Sequence, residues 1–162
     1  MATDIDSYIG IYTVINKFLH PKSEIALKTD SRGHIELKGK RFKSNTPITL
    51  KIVYSDWKPK ESKVFGKNIE WGMSRKDEQI QDKHTYYCFI HFDKINATYK
   101  YYIVPNDKVV KYLKYEHHYW LIYKLTRKDN SYRIFRLGLF YQIFNPHVLM
   151  AYDFEDKWDQ LK

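Results

Sequence analysis

The chain has 162 residues, 28 Lys plus Arg against 19 Asp plus Glu, and a formal charge of +9. With 43% apolar and 29% charged residues it reads as neither a disordered tail nor a bilayer-spanning chain, and residues 1–162 suit one domain that needs no metal or disulfide to fold. The lone Cys88 excludes a disulfide framework and a multi-thiolate zinc site.

Residues 1–10 carry Asp4 and Asp6 and no basic region, so the expectation is no secretory signal, no membrane partner and a cytoplasmic location. Ile5, Ile9, Tyr12, Ile15 and Leu19 recur at helical spacing and predict a helix over 5–19, closed by His20-Pro21. A short strand over 24–28 and a turn over 30–33 follow. Strands are predicted over 34–38 and 48–54, the second alternating Ile48, Leu50, Ile52 and Tyr54 with Thr49, Lys51, Val53 and Ser55. Residues 38–47 between them read as a basic hairpin connection.

Residues 56–68 hold Pro59, Gly66 and a second concentration of lysines, and read as a loop. A short extended piece over 69–73 and a polar helix or turn over 75–81 come next. Strands over 85–92 and 98–104 are arranged as a hairpin. A helix runs from about 105–107 to 123 with Val109, Val110, Leu113, Trp120 and Leu121 as its apolar stripe. Residues 126–133 are polar, 134–154 are aromatic-rich without an assignment, and 153–161 suit a terminal helical turn. The order predicts an α/β protein with a mixed central sheet flanked by helices.

Seventeen per cent of the residues are aromatic. On a basic chain, such rings suit nucleic acid through base stacking beside phosphate neutralisation, although most are expected to serve the core and the sheet faces. The clusters Lys38, Lys40, Arg41, Lys43 and Lys58, Lys60, Lys63, Lys67 flank the strand bearing Lys51 and are candidate phosphate contacts, with Trp57 as a candidate stacking ring. The alternative for these lysines is a solvated surface. Cys88, among Tyr86, Tyr87, Phe89 and Ile90, reads as a buried, inert thiol. His84 and Cys88 would lie ~13 Å apart on a strand with His91 on the other face, so they do not predict zinc.

Several segments together resemble a known group. They are 86–92 (Tyr86-Tyr87-Cys88-Phe89-Ile90-His91-Phe92), 102–110 (Tyr102-Ile103-Val104-Pro105-Asn106 onward), 117–121 (His117-His118-Tyr119-Trp120-Leu121), 70–74 (Glu70-Trp71-Gly72-Met73-Ser74) and the acidic tail 153–161 with Trp158. They are similar to small bacterial proteins with a restriction-endonuclease-like, PD-(D/E)XK core. The resemblance implies a helix, three antiparallel strands, then a crossover to further strands. It also implies Mg²⁺-dependent cleavage of double-stranded DNA, with acids holding the metal and a lysine assisting water.

Carried over by position, the lysine is Lys51 and the metal-holding acid is Glu36 within Ile35-Glu36-Leu37. Thr49 stands two residues before Lys51, where the pattern has an acid or Gln, and the helix acid of some relatives falls near Ile11. Asp30 and Asp56 are the neighbouring substitutes. The same scaffold also suits a nucleic-acid binder without catalysis. A third reading is an accessory protein whose Phe135, Phe140, Tyr141 and Phe144 form a homodimer or partner surface. Outside the resemblance, Glu36 and Lys51 read as a cross-strand pair on a polar sheet face.

Overall fold

The computed structural model describes residues 5–18, 25–29, 34–40, 47–79, 82–140 and 145–161. The predicted turn over 30–33, Asp30, Arg41, Lys43, Tyr141, Phe144 and the side chain of Lys40 lie outside the described residues.

Helix α1 (Ile5–Phe18) opens the fold. Strands β1 (Ile25–Thr29), β2 (Ile35–Lys40) and β3 (Pro47–Ser55) pair antiparallel. Strand β6 (Thr85–Asp93) pairs parallel with β3 and antiparallel with β7 (Thr98–Pro105). The result is a five-stranded mixed sheet in the order β1-β2-β3-β6-β7. A parallel neighbour needs a crossover, and here it is not a helix. It is β4 (Lys60–Ser62), β5 (Gly66–Ser74) and a 3-10 turn at Arg75–Glu78.

The loop expected over 56–68 is therefore corrected, because it contains β4 and the start of β5. Its tight turn is made by the Ser62 hydroxyl accepting from the Phe65 N–H at 2.9 Å and by Gly66 at φ 59°, a conformation that suits a residue without Cβ. The unassigned stretch 134–154 supplies most of β8 (Tyr132–Gly138) and all of β9 (Leu149–Met150), and β4-β5-β8-β9 make a second sheet. Helix α2 (Asn106–Tyr123) follows β7, and 3-10 turns at Ala151–Asp153 and Trp158–Gln160 occupy the tail.

Alternation along β3 splits the apolar residues between two cores. Ile48, Leu50 and Ile52 join Leu37, Cys88, Ile90 and Ile103 under Val14 of α1. Val53, Tyr87 and Phe89 face the other way and meet Trp71, Phe135, Val109 and Leu113. Trp71, fully buried on β5, donates its indole N–H to the Ile90 carbonyl at 2.8 Å and so ties the two sheets together. Burial raises the Cys88 thiol pKa well above its ordinary value, as expected of an inert core sulfur.

Both helices differ from their expected faces. Among the described side chains of α1 the buried residues are Ser7, Gly10 and Val14, while Ile5, Ile9 and Tyr12 are exposed. Gly10 allows this, since a Cβ there would lie 3.1 Å from the Tyr99 ring and 3.2 Å from Ile90. In α2 the buried side continues past Leu113 through Glu116 and His117, so the lower half of the stripe is polar. Phe135 is wholly buried beside Phe89, their rings stacked at 4.2 Å, and this removes it from any partner surface. Among the described residues no helix is long and apolar enough to cross a membrane.

Candidate nucleic-acid interface

The register of the first sheet assembles a row of side chains. Lys28 is opposite Glu36, Glu36 is opposite Lys51, and Lys51 is opposite Tyr87. The next row on the same face carries Lys38 opposite Thr49. Thr49 is half-buried on this face and does not enter the core. Glu36 and Lys51 line one cleft of 180 Å³ together with Lys28, His34, Lys76, Asp77 and Tyr87. The sequence thus places Glu36 and Lys51 on neighbouring strands, and the fold puts them on one face in one cavity.

Asp77 enters the cleft from the 3-10 turn at Arg75–Glu78. Ser74 and Asp77 form a capping box there, with the Asp77 Oδ2 accepting from the Ser74 N–H at 2.8 Å and from the Ser74 hydroxyl at 3.2 Å. The Tyr87 hydroxyl donates to the Asp77 Oδ1 at 3.0 Å. The Lys51 ammonium lies 5.4 Å from the centre of the Tyr87 ring, a cation–π contact that steadies its direction. Lys28, Lys51 and Lys76 share the cleft with two carboxylates, one of which already accepts these three hydrogen bonds.

This donor set fits magnesium poorly. Protein-held Mg²⁺ takes one or two carboxylates, completing its shell with water and phosphate. Asp77 is spent on its cap and on Tyr87, Thr49 offers a hydroxyl, and Glu36 lies between two lysine positions. Asp56 does not substitute, since it pairs with Lys94 at 2.5 Å. Among the described residues there is no group of three or more His, Cys, Asp or Glu that could hold a metal ion. What the cleft offers is three lysines beside two carboxylates, a cationic surplus that suits a phosphate oxygen.

The second lysine cluster is elsewhere. Lys60 bonds the Glu70 Oε2 at 2.7 Å, and Lys60 and Lys63 line a separate cavity of 380 Å³ beside α2. Lys67 lies 5.5 Å from the Phe140 ring, and Lys58 is exposed. Trp57 packs near Gly72 with Lys60 5.5 Å from its ring, and its carbonyl accepts from the Nε2–H of His91 at 3.0 Å. Lys60 and Lys63 therefore line a cavity other than the one that holds Lys51, and Lys38 lines neither of the two.

Lys28, His34, Lys76, Asp77 and Tyr87 were not candidates from the sequence. The one legible signal was the Ser-x-x-Asp spacing of Ser74 and Asp77, a capping pattern. Comparison with family models, curated proteins and solved structures finds no match for this chain.

Proposed function

We propose that this protein binds nucleic acid through the cleft between Lys28, Lys51 and Lys76, on a restriction-endonuclease-like scaffold that has lost metal-dependent cleavage. The observation that carries the reading is the cross-sheet row Lys28, Glu36, Lys51 in one cavity, with Asp77 committed to a cap. A helix, three antiparallel strands and a crossover to a parallel strand, the order that the resemblance implies, support the scaffold. The charge of +9 supports a polyanion as partner. Duplex DNA is the form that the resemblance favours. In this reading Lys51 contacts phosphate, with Glu36 opposite it in the strand register.

Fluorescence anisotropy with duplex DNA over a salt series tests it. Three phosphate contacts give a slope of roughly −2.7 in log K against log salt, and Lys51→Ala lowers its magnitude by about 1. Absent binding, or binding insensitive to salt and to Lys51→Ala, overturns the reading. Plasmid incubated with Mg²⁺ or Mn²⁺ is expected to stay intact. Cleavage that Lys51→Ala abolishes would restore the catalytic assignment of Glu36, Thr49 and Lys51 with magnesium.

A further inference from the structure

The second cavity, 380 Å³ between the β4–β5 hairpin, β8 and the end of α2, is a different kind of space from the cleft. Its walls are the rings of Phe65, Tyr119, Trp120 and Tyr123. Phe65 and Tyr119 meet edge to face at 6.2 Å, and Tyr119 and Tyr123 stack at 5.9 Å. The polar lining mixes carboxylates and cations, and both Glu70 oxygens already accept, from Lys60 and from Arg136. Arg136 is committed to the protein, giving Nε to Glu70 at 2.9 Å and Nη1 to Glu116 at 2.7 Å, with its guanidinium 4.4 Å from the Phe65 ring. Asn68 is 1% exposed and donates its Nδ2 to the Gly66 carbonyl at 2.7 Å, while its Oδ1 meets no donor among the described residues. The exposed Lys63 and Glu61 and the half-buried Arg127 border the same space, with Arg127 giving one Nη1–H to the Trp120 carbonyl at 2.9 Å and lying 4.7 Å from the Trp120 ring.

Aromatic walls ask for a flat body, the unpartnered Asn68 Oδ1 asks for an N–H group, and Lys63 with Arg127 asks for an anion. Together these requirements describe one ligand class, and the volume lies within the range of small-molecule sites. We propose that the cavity takes a nucleotide, base inward and phosphate toward Lys63 and Arg127. Guanine suits the lining best. Its N1–H and 2-amino group put adjacent donors on one edge, whereas uracil flanks its single N–H with two carbonyl oxygens that would oppose the Glu116 carboxylate and Asn68 Oδ1. A free mononucleotide and an unpaired guanine within a strand share this chemistry. The site uses no residue of the Lys51 cleft and stands independently of the function proposed for it.

Calorimetry on the full chain with the guanosine, adenosine, cytidine and uridine monophosphates tests the proposal. Saturable binding is expected, with guanosine at least about fivefold tighter than uridine, and Tyr123→Ala weakening it about tenfold through lost stacking. Tyr123 is 65% exposed, so this variant should leave the fold intact. Lys63→Ala should weaken the monophosphate and leave the nucleoside unchanged. Asn68→Leu should erase the base preference. If that variant does not fold, inosine monophosphate reads the same contact in the wild type and should bind less tightly than the guanosine form. A single-stranded oligonucleotide with one guanine is the second arm, and Tyr123-dependent binding of it alone identifies the strand as the source. The proposal is overturned if neither probe binds, or if Tyr123→Ala and Lys63→Ala leave binding unchanged. Lys51-dependent duplex binding without nucleotide uptake would sink this site and spare the cleft, and nucleotide uptake without duplex binding would do the reverse.

Discussion

Arg136 is the residue on which the second sheet depends most. Its side chain is 11% exposed, and those of its partners Glu70 and Glu116 are 6% and 7% exposed. Removing one member of such a group leaves buried charge without its counter-ion. Arg136→Met is expected to cost about 3–5 kcal/mol, read from the urea unfolding midpoint. A loss under about 1 kcal/mol would show that Lys60 alone satisfies both carboxylates. The network also sets an acid limit. Burial pushes the Glu70 carboxyl up, but the hydrogen bond from Lys60 and the charge of Arg136 outweigh it and hold the pKa below its ordinary 4.5. The unfolded chain then binds this proton more readily than the folded one. Stability from Glu70 is full above about pH 4.5 and is lost as pH falls through the lower folded value. Thermal melts of Glu70→Gln should lack that acid limb. His91 has the same sign, since burial lowers its pKa below 6.5 despite its bond to the Trp57 carbonyl, so its contribution fades as pH falls below about 6.5.

At the scale of elements, the 3-10 turn at Arg75–Glu78 shows how a sheet face becomes a cleft. Asp77 caps the turn and accepts from Tyr87 on β6, so one carboxylate fixes the turn against the sheet and brings Lys76 to the cleft that Lys51 lines. Asp77→Ala is expected to lose about 0.5–2 kcal/mol for the cap, with a further cost of order 1–3 kcal/mol for the Tyr87 hydroxyl, measured by denaturant unfolding. Wild-type stability in this variant would argue that Asp77 is held for chemistry instead. Arg133, buried on β8, reaches Glu78 from the second sheet and anchors the same turn from its other end. The helices and the strands β2, β3, β6 and β7 were legible because period 2 and period 3.6 are local properties of the chain. Strand β5 read as a short fragment because its buried run includes Asn68 and Glu70, which break alternation until Arg136 is opposite.

Across the whole molecule, Trp71 is the joint. It stands between the sheets, 5.1 Å from the Phe89 ring and 5.8 Å from Tyr102, with its N–H on the Ile90 carbonyl. If the two sheets unfold together, far-UV circular dichroism and tryptophan fluorescence will give coincident urea transitions. Trp71→Ala is expected to lower stability by about 3–5 kcal/mol, and Trp71→Phe by less, with the transitions still coincident. Separated transitions in the wild type would mean two folding units. Composition and periodicity alone determined an α/β chain, a net positive charge, a thiol set among apolar neighbours and period-two strands carrying Glu36 and Lys51, because each of these depends on charge counts or on the pattern within one segment. Only the tertiary structure decided that Lys28 and Lys76 join Glu36 and Lys51 in one cavity while Lys60 and Lys63 line another. Lys28 and Lys76 lie 48 positions apart, and their meeting depends on strand register and on a crossover built from a second sheet, which no local pattern encodes.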